Sequence, residues 1–231
     1  RLKPADTRRQ STLTTLQSRL ARLRFLPAAL MEILVLVILI AVTAWVLKSK
    51  EQARRIALLG GQLGKYQIEK LMENLTEGYM RCLAEDDAER RDQIWSMLNT
   101  AEAALADQFG RFAAGFGRID EAQTRTSKLP LALPLADRLF PNATFDARKA
   151  FAIHAHGIAD AASNALGQTP KRKAFTMSAE LFLMQHTCHW FCRSKSVASA
   201  RLLARHQTSY ALALDSVAPA TRKAYQALVG G

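Results

Sequence analysis

Cysteine is scarce in this chain: three residues in 231, Cys82, Cys188 and Cys192. Three thiols cannot all pair within one chain, which excludes a disulfide-built scaffold. Cys188 and Cys192 stand four apart on a predicted helix, where Cβ atoms are about 5–6 Å apart against the roughly 3.8 Å of a disulfide. One bond from Cys82 to either is open in an oxidising compartment, and none is expected in a reducing one. Also missing are a glycine-rich phosphate loop, an H-E-x-x-H pair and a nucleophile elbow. Carboxylates fall mainly in solvated turns or mixed-charge helices, so no acid/base pair stands out. No residue is nominated as catalytic, and the expectation leans away from an enzyme. Strand signals are thin as well. Val and Ile concentrate in one run, while Ala, Leu, Arg, Lys, Gln and Glu alternate with a helical period elsewhere, so the chain reads as all-α.

That one run is Ala28 to Leu47, AALMEILVLVILIAVTAWVL. At about 1.5 Å per residue it reaches roughly 30 Å, the thickness of a bilayer's hydrocarbon core. Its five Leu, three Ile and four Val contribute about −5 kcal/mol on an insertion scale, more than the roughly +3 kcal/mol of one central carboxylate. Glu32 lies only a turn inside the near end, where it reaches water. The run has no glycine, so a G-x-x-x-G dimer face is not indicated.

Residues 1–27 form a basic arm. Leu13, Leu16, Leu20 and Leu23 recur at helical spacing before Pro27 interrupts, which suits either a basic amphipathic helix in the headgroups or a disordered tail. Seven Lys and Arg in the arm favour a cytoplasmic N-terminus and an outside domain in a bacterial inner membrane, although within 15 residues of the run the count is three against four. Residue 1 is Arg, and a start at Met31 would remove the arm. The segment P-A-A-L-M-E-I-L-V-L-V resembles the start of type IV pilins, in which a carboxylate in an apolar helix supports assembly. Only Glu32 is carried by that resemblance; Pro27 stands where the cleavage glycine should be and Ala28 replaces the usual aromatic.

The formal charge of +12 is spread along the chain rather than gathered with aromatics on one face. Nucleic acid is therefore not an expected partner, and attraction to anionic lipid is the simpler use of the excess.

After the span, breakers divide the chain. Residues 48–123 read as a long amphipathic helical hairpin, bent at Gly60, Gly61 and Gly64 and turned at Glu85, Asp86 and Asp87. Asp86 or Asp87 caps a helix of about 35 residues, with Ile94, Met97, Leu98, Ala101, Leu105, Phe109, Phe112, Phe116 and Ile119 on one side as core. Residues 124–142 form a Pro-rich connection whose leucines are expected to pack over the bundle in preference to the membrane surface. Residues 143–231 supply C-terminal helices that pack on the hairpin as one domain. They run from about 145 to 166, 177 to 193 and 196 to 215, with a last short helix from Pro219 and a basic turn at 169–173. The piece A-P-A-T-R-K-A-Y is similar to the core-binding segment of tyrosine recombinases over eight residues, and no catalytic residue of that family can be placed after it. The architecture expected is one transmembrane helix followed by an antiparallel bundle of about five to six helices.

One stretch carries possible chemistry. His186, Cys188, His189 and Cys192 lie within seven residues. At about 100° per residue, His189 falls within about 60° of both His186 and Cys192, so the helix could offer two or three donors to one ion. His154 and His156, or His206, could complete a zinc site if the bundle gathers them. Alternatively, His186 or His189 could be an axial ligand to haem in a pocket of Phe182, Trp190 and Phe191. The bland account is that free cysteine and histidine here are packing residues, and no cofactor is then expected. The leading expectation is a single-pass protein whose helical domain binds membrane lipid through its anchor and a protein partner, or a second copy of itself, through its surface. It would act as an interaction, assembly or sensory input module.

Overall fold

The computed structural model describes the backbone of residues 6–230 and the side chains of residues 30–230. The protein is all-α: among the described residues it has ten helices and one two-stranded ribbon. It divides into two compact units, residues 1–47 and 48–231.

The described residues of the first unit lie within helix α1, Asp6–Leu63. The helix runs through Pro27, where an interruption is predicted from the sequence; the apolar face expected for residues 13–23 rests on side chains outside the described residues. Among the described residues, Leu30–Leu63 is the one helical stretch long and apolar enough to cross a membrane, and none of its most apolar 18-residue window is buried. Thr43, the one hydroxyl of the run 28–47, donates to Leu39 O at 2.8 Å, so its own proton is paired within the helix.

The second unit begins with the last turns of α1. The predicted bend becomes a break: Gly64 closes the helix by donating to Gly60 O at 2.8 Å. Helix α2, Ile68–Leu83, follows. Asp87 caps helix α3, Ala88–Phe116, accepting from the Arg90 amide at 2.9 Å. At 29 residues α3 is shorter than expected, ending at Gly117, and Met97 stays 74% exposed. After the single-turn helix α4 (Glu121–Thr124), strand β1 (Arg125–Ser127) pairs antiparallel with β2 (Thr144–Asp146), Thr126 opposite Phe145. Between them lie a short helix α5 (Ala136–Leu139) and a 3-10 turn at Pro141–Ala143.

Five helices follow. Asp146 caps α6, Ala147–Ala162. Thr169 caps α7, Pro170–Cys192, so the expected basic turn at 169–173 is instead a cap and first helical turn, with proline at the position that lacks no bond. Ser194 caps α8, Lys195–His206, and Ser209 caps α9, Tyr210–Ser216. The single helix expected over 196–215 is broken because Gln207 takes a left-handed backbone (φ 50°); the phase resets, and Leu203 stays exposed. Helix α10, Pro219–Val229, ends the fold.

Two apolar clusters hold this unit together. The first joins α2, α3, α6 and α7 through Leu75, Leu105, Phe109, Phe112, Phe116, Phe151 and Phe191, with Phe116 edge-on to Phe151 at 4.9 Å. The second joins α7 to α8, α9 and α10 through Leu183, Trp190, Ala198 and Tyr225. Helix α7 serves both, which is why it lacks a clear polar face: a helix covered on two sides has little need of one. The leucines of the Pro-rich connection differ from expectation. Leu131, Leu133, Leu135 and Leu139 are 65, 46, 42 and 65% exposed, while the small residue Ala136 faces inward. An extended segment alternates its side chains, and this one turns its small residues to the domain.

Candidate functional site

The histidines and cysteines of α7 and α6 are distributed by the helical repeat around a helix packed on both sides. His186, 1% exposed, points to the second cluster, its Nε2 3.1 Å from Ser199 Oγ and its ring stacked on Tyr210 at 4.5 Å. Cys188 and Cys192 pack on the first cluster instead, Cys188 Sγ 3.8 Å from Met184 Sδ. His189 is half-buried, with Arg201 Nη1 donating to its Nδ1 at 3.1 Å. His156 is exposed on α6. His206 bonds Gln185 Oε1 at 2.7 Å and stacks on Phe182 at 4.1 Å.

His154 is fully buried, its Nε2 2.8 Å from Thr187 Oγ1, which also meets Tyr225 OH at 2.8 Å and Leu183 O at 3.1 Å. The threonine has one proton. Given to the Leu183 carbonyl, it leaves the oxygen accepting from both His154 and Tyr225, which assigns the proton of a neutral His154 to Nε2. Nδ1 of His154 and of His186 then have no protein partner.

Burial governs the ionisation of His154, His186, His189, His206, Cys188 and Cys192. It pulls His154 and His186 down to about 3, and pulls His189 and His206 below their ordinary value. It raises the Cys188 thiol well above the usual range and Cys192 to about 11 despite the nearby Arg55 and Arg193 guanidinium groups. The thiols are thus protonated and poor nucleophiles at neutral pH. Of the six residues nominated as ligands, His186, Cys188, His189, Cys192, His154 and His156, the bundle gathers no three; among the described residues no group of three or more His, Cys, Asp or Glu is placed to hold a metal ion. The lining expected for haem is divided too, with Phe191 in the first cluster, Trp190 in the second and Phe182 against His206.

Besides Asp146, the cap of α6, two buried carboxylates were not singled out from the sequence. Glu102, 1% exposed on α3, accepts from Tyr79 OH and pairs with Lys173 Nζ, which also donates to Asn99 at 2.9 Å. Glu180 on α7 is fully buried and accepts from the Ala218 amide at 3.0 Å, capping the entry to α10. Burial raises its carboxyl to about 7. A signal for both exists in the pattern: Glu102 falls four after Leu98 and three before Leu105, and Glu180 three after Met177, inside the apolar stripes of their helices.

The surface of the domain also carries an apolar groove. A groove of about 430 Å³ lies between α2, α7 and α9, with Tyr79, Ala179 and Ala213 in its lining. On it Met80, Phe175 and Leu212 remain 70, 57 and 56% exposed. Clustered apolar side chains of this kind are uncommon on a monomer's surface. No family model, curated protein or solved structure matches the chain.

Proposed function

We propose that this chain is a single-pass protein of a bacterial inner membrane, with its N-terminal arm inside and its helical domain outside, and that the domain works as a protein-interaction, assembly or sensory input module. The observation that carries the anchor is the bare apolar surface of α1, from Leu30 at 61% exposed to Trp45 at 67%. Covering one large apolar side chain is worth about 1.5–3 kcal/mol, so a dozen left in water cost tens of kcal/mol, which lipid removes. Trp45 suits the interfacial aromatic belt, and Lys48, Lys50 and Arg54 follow in the headgroups. The partner surface assigned by this reading is the groove between α2, α7 and α9, where an apolar segment of a partner or a second copy would cover Met80, Phe175 and Leu212.

Alkaline extraction of native membranes tests the anchor. The chain should stay in the pellet at an intact mass that includes residues 28–47. Release into the supernatant, or a mass lacking that run as a cleaved leader would, overturns the anchor. For the interaction, a photo-crosslinking residue at Phe175 should give a discrete adduct that Met80→Lys abolishes, while the same residue at exposed Gln93 on α3 gives none. Equal adducts at both positions, or none at either, count against the groove.

A further inference from the structure

We propose that the Pro-rich connection, residues 129–140, is a second membrane contact: an apolar finger that lies in the headgroup layer of an anionic bilayer beside the exit of the span and seats the domain there. The inference rests on the reading of residues 28–47 as an anchor. Lys48 follows Leu47 directly, about 1.5 Å further along the helix. Within the second unit, Lys48, Gln52 and Arg55 share one cleft with Leu129, Leu131 and Leu133. The connection is held there from several sides. Trp190 Nε1 donates to Ser127 O at 2.9 Å, and the Ser196 amide donates to Pro130 O at 3.1 Å. The turn of α1 that follows the span is fixed to the same end of α7: Arg193 donates to Gln52 Oε1 at 2.6 Å, and Arg55 to Phe191 O at 3.3 Å. Leu129, Leu131 and Leu133 are therefore held beside the first residues after the span.

Orientation and charge fit the same occupant. Leu131, Leu133, Leu135 and Leu139 turn outward with Phe140, 46% exposed, and Ala136 turns inward. Leu135 adopts a left-handed backbone (φ 56°), a conformation that leucine disfavours and that a merely structural turn would give to glycine or asparagine. The basic groups around the finger are Lys48, Lys128, Arg138 and Arg193, with Arg125 paired to Glu121 at 3.9 Å; the acids are Asp137, and Glu51 already paired with Arg55 at 2.6 Å. Apolar tips ringed by cations match the boundary of an anionic leaflet, where the tips enter acyl chains and the cations meet phosphates.

The full chain in vesicles of phosphatidylcholine and phosphatidylglycerol containing a diazirine-bearing phospholipid tests this by peptide mapping of lipid adducts after irradiation. Adducts are expected on two stretches, 28–47 and 129–140, and those on 129–140 should fall in vesicles of phosphatidylcholine alone and be lost in the triple variant Leu131→Gln, Leu133→Gln, Leu139→Gln while those on 28–47 persist. Adducts on 28–47 alone overturn the finger and leave the anchor standing. If 129–140 carries no lipid adduct yet is protected from hydroxyl-radical oxidation, another protein copy covers it and the lipid contact is overturned. Absence of adducts from both stretches overturns the anchor and the finger together.

Discussion

Glu180 and the two buried histidines set opposing demands on pH. In the unfolded chain the Glu180 carboxyl titrates near its ordinary 4.5, and in the fold near 7. Between those values the folded chain holds a proton that the unfolded chain has released, so stability falls as pH rises through this window and stays lower above it. His154 and His186 work the other way: with ordinary values of 6.5 and folded values of about 3, they withdraw stability as pH falls below 6.5. Two imidazoles outweigh one carboxyl, so stability should peak near neutrality and fall more steeply on the acid side. Glu180→Gln keeps an acceptor for the Ala218 amide and removes the ionisation. It should raise stability at pH 8 by on the order of 3 kcal/mol and leave pH 4 unchanged. Thermal melts in detergent at the two pH values check this, and an equal shift at both would refute the assignment. Gly157 belongs to the same locus. A Cβ there would sit 2.5 Å from Glu180 Oε2, so Gly157→Ala must displace a buried carboxylate and should cost about 1–3 kcal/mol by denaturant titration.

Among the elements, α3 and α7 behave differently. The apolar stripe of α3 was plain in the sequence because one face meets the core and the other meets water, and Phe109, Phe112 and Phe116 are all buried as that pattern requires. Phe116→Ala empties a site where Phe112, Phe151 and Phe191 converge, and urea unfolding should report a loss of about 3–5 kcal/mol. Met97→Ala, on the exposed flank, should change little in the same assay. Helix α7 was legible as a helix but not in its facing, because two-sided burial erases the periodicity that would tell His186 from Cys188. The ribbon of β1 and β2 was not legible. Three-residue strands leave no alternating pattern, and their pairing depends on partners 17–21 residues away. In the connection between them, Leu135→Asn relieves the left-handed strain at an exposed position and should raise the melting temperature in detergent by a few degrees, equivalent to about 1 kcal/mol. A lower melting temperature would mean that Leu135 packs more than its exposure indicates.

For the molecule as a unit, the side of the membrane decides what its thiols and surface can do. C-terminal fusions at Gly231 to a reporter active only outside and to one active only inside should give signal from the first alone. The opposite result would keep the cysteines in a reducing compartment. Composition and hydropathy pattern were enough to read a membrane-length apolar helix, an all-α domain, a bend near Gly60–Gly64 that the structure makes a break, a cap at Asp86 or Asp87 and the aromatic core of α3, since each depends on residues close along the chain. Three-dimensional packing alone revealed that the α7 histidines and cysteines face different sides, that Glu102 and Glu180 are buried with partners from other helices, and that the leucines of 131–139 turn outward beside Lys48. Those outcomes rest on contacts between segments tens of residues apart, and a local pattern holds no information about which distant segment will cover which face.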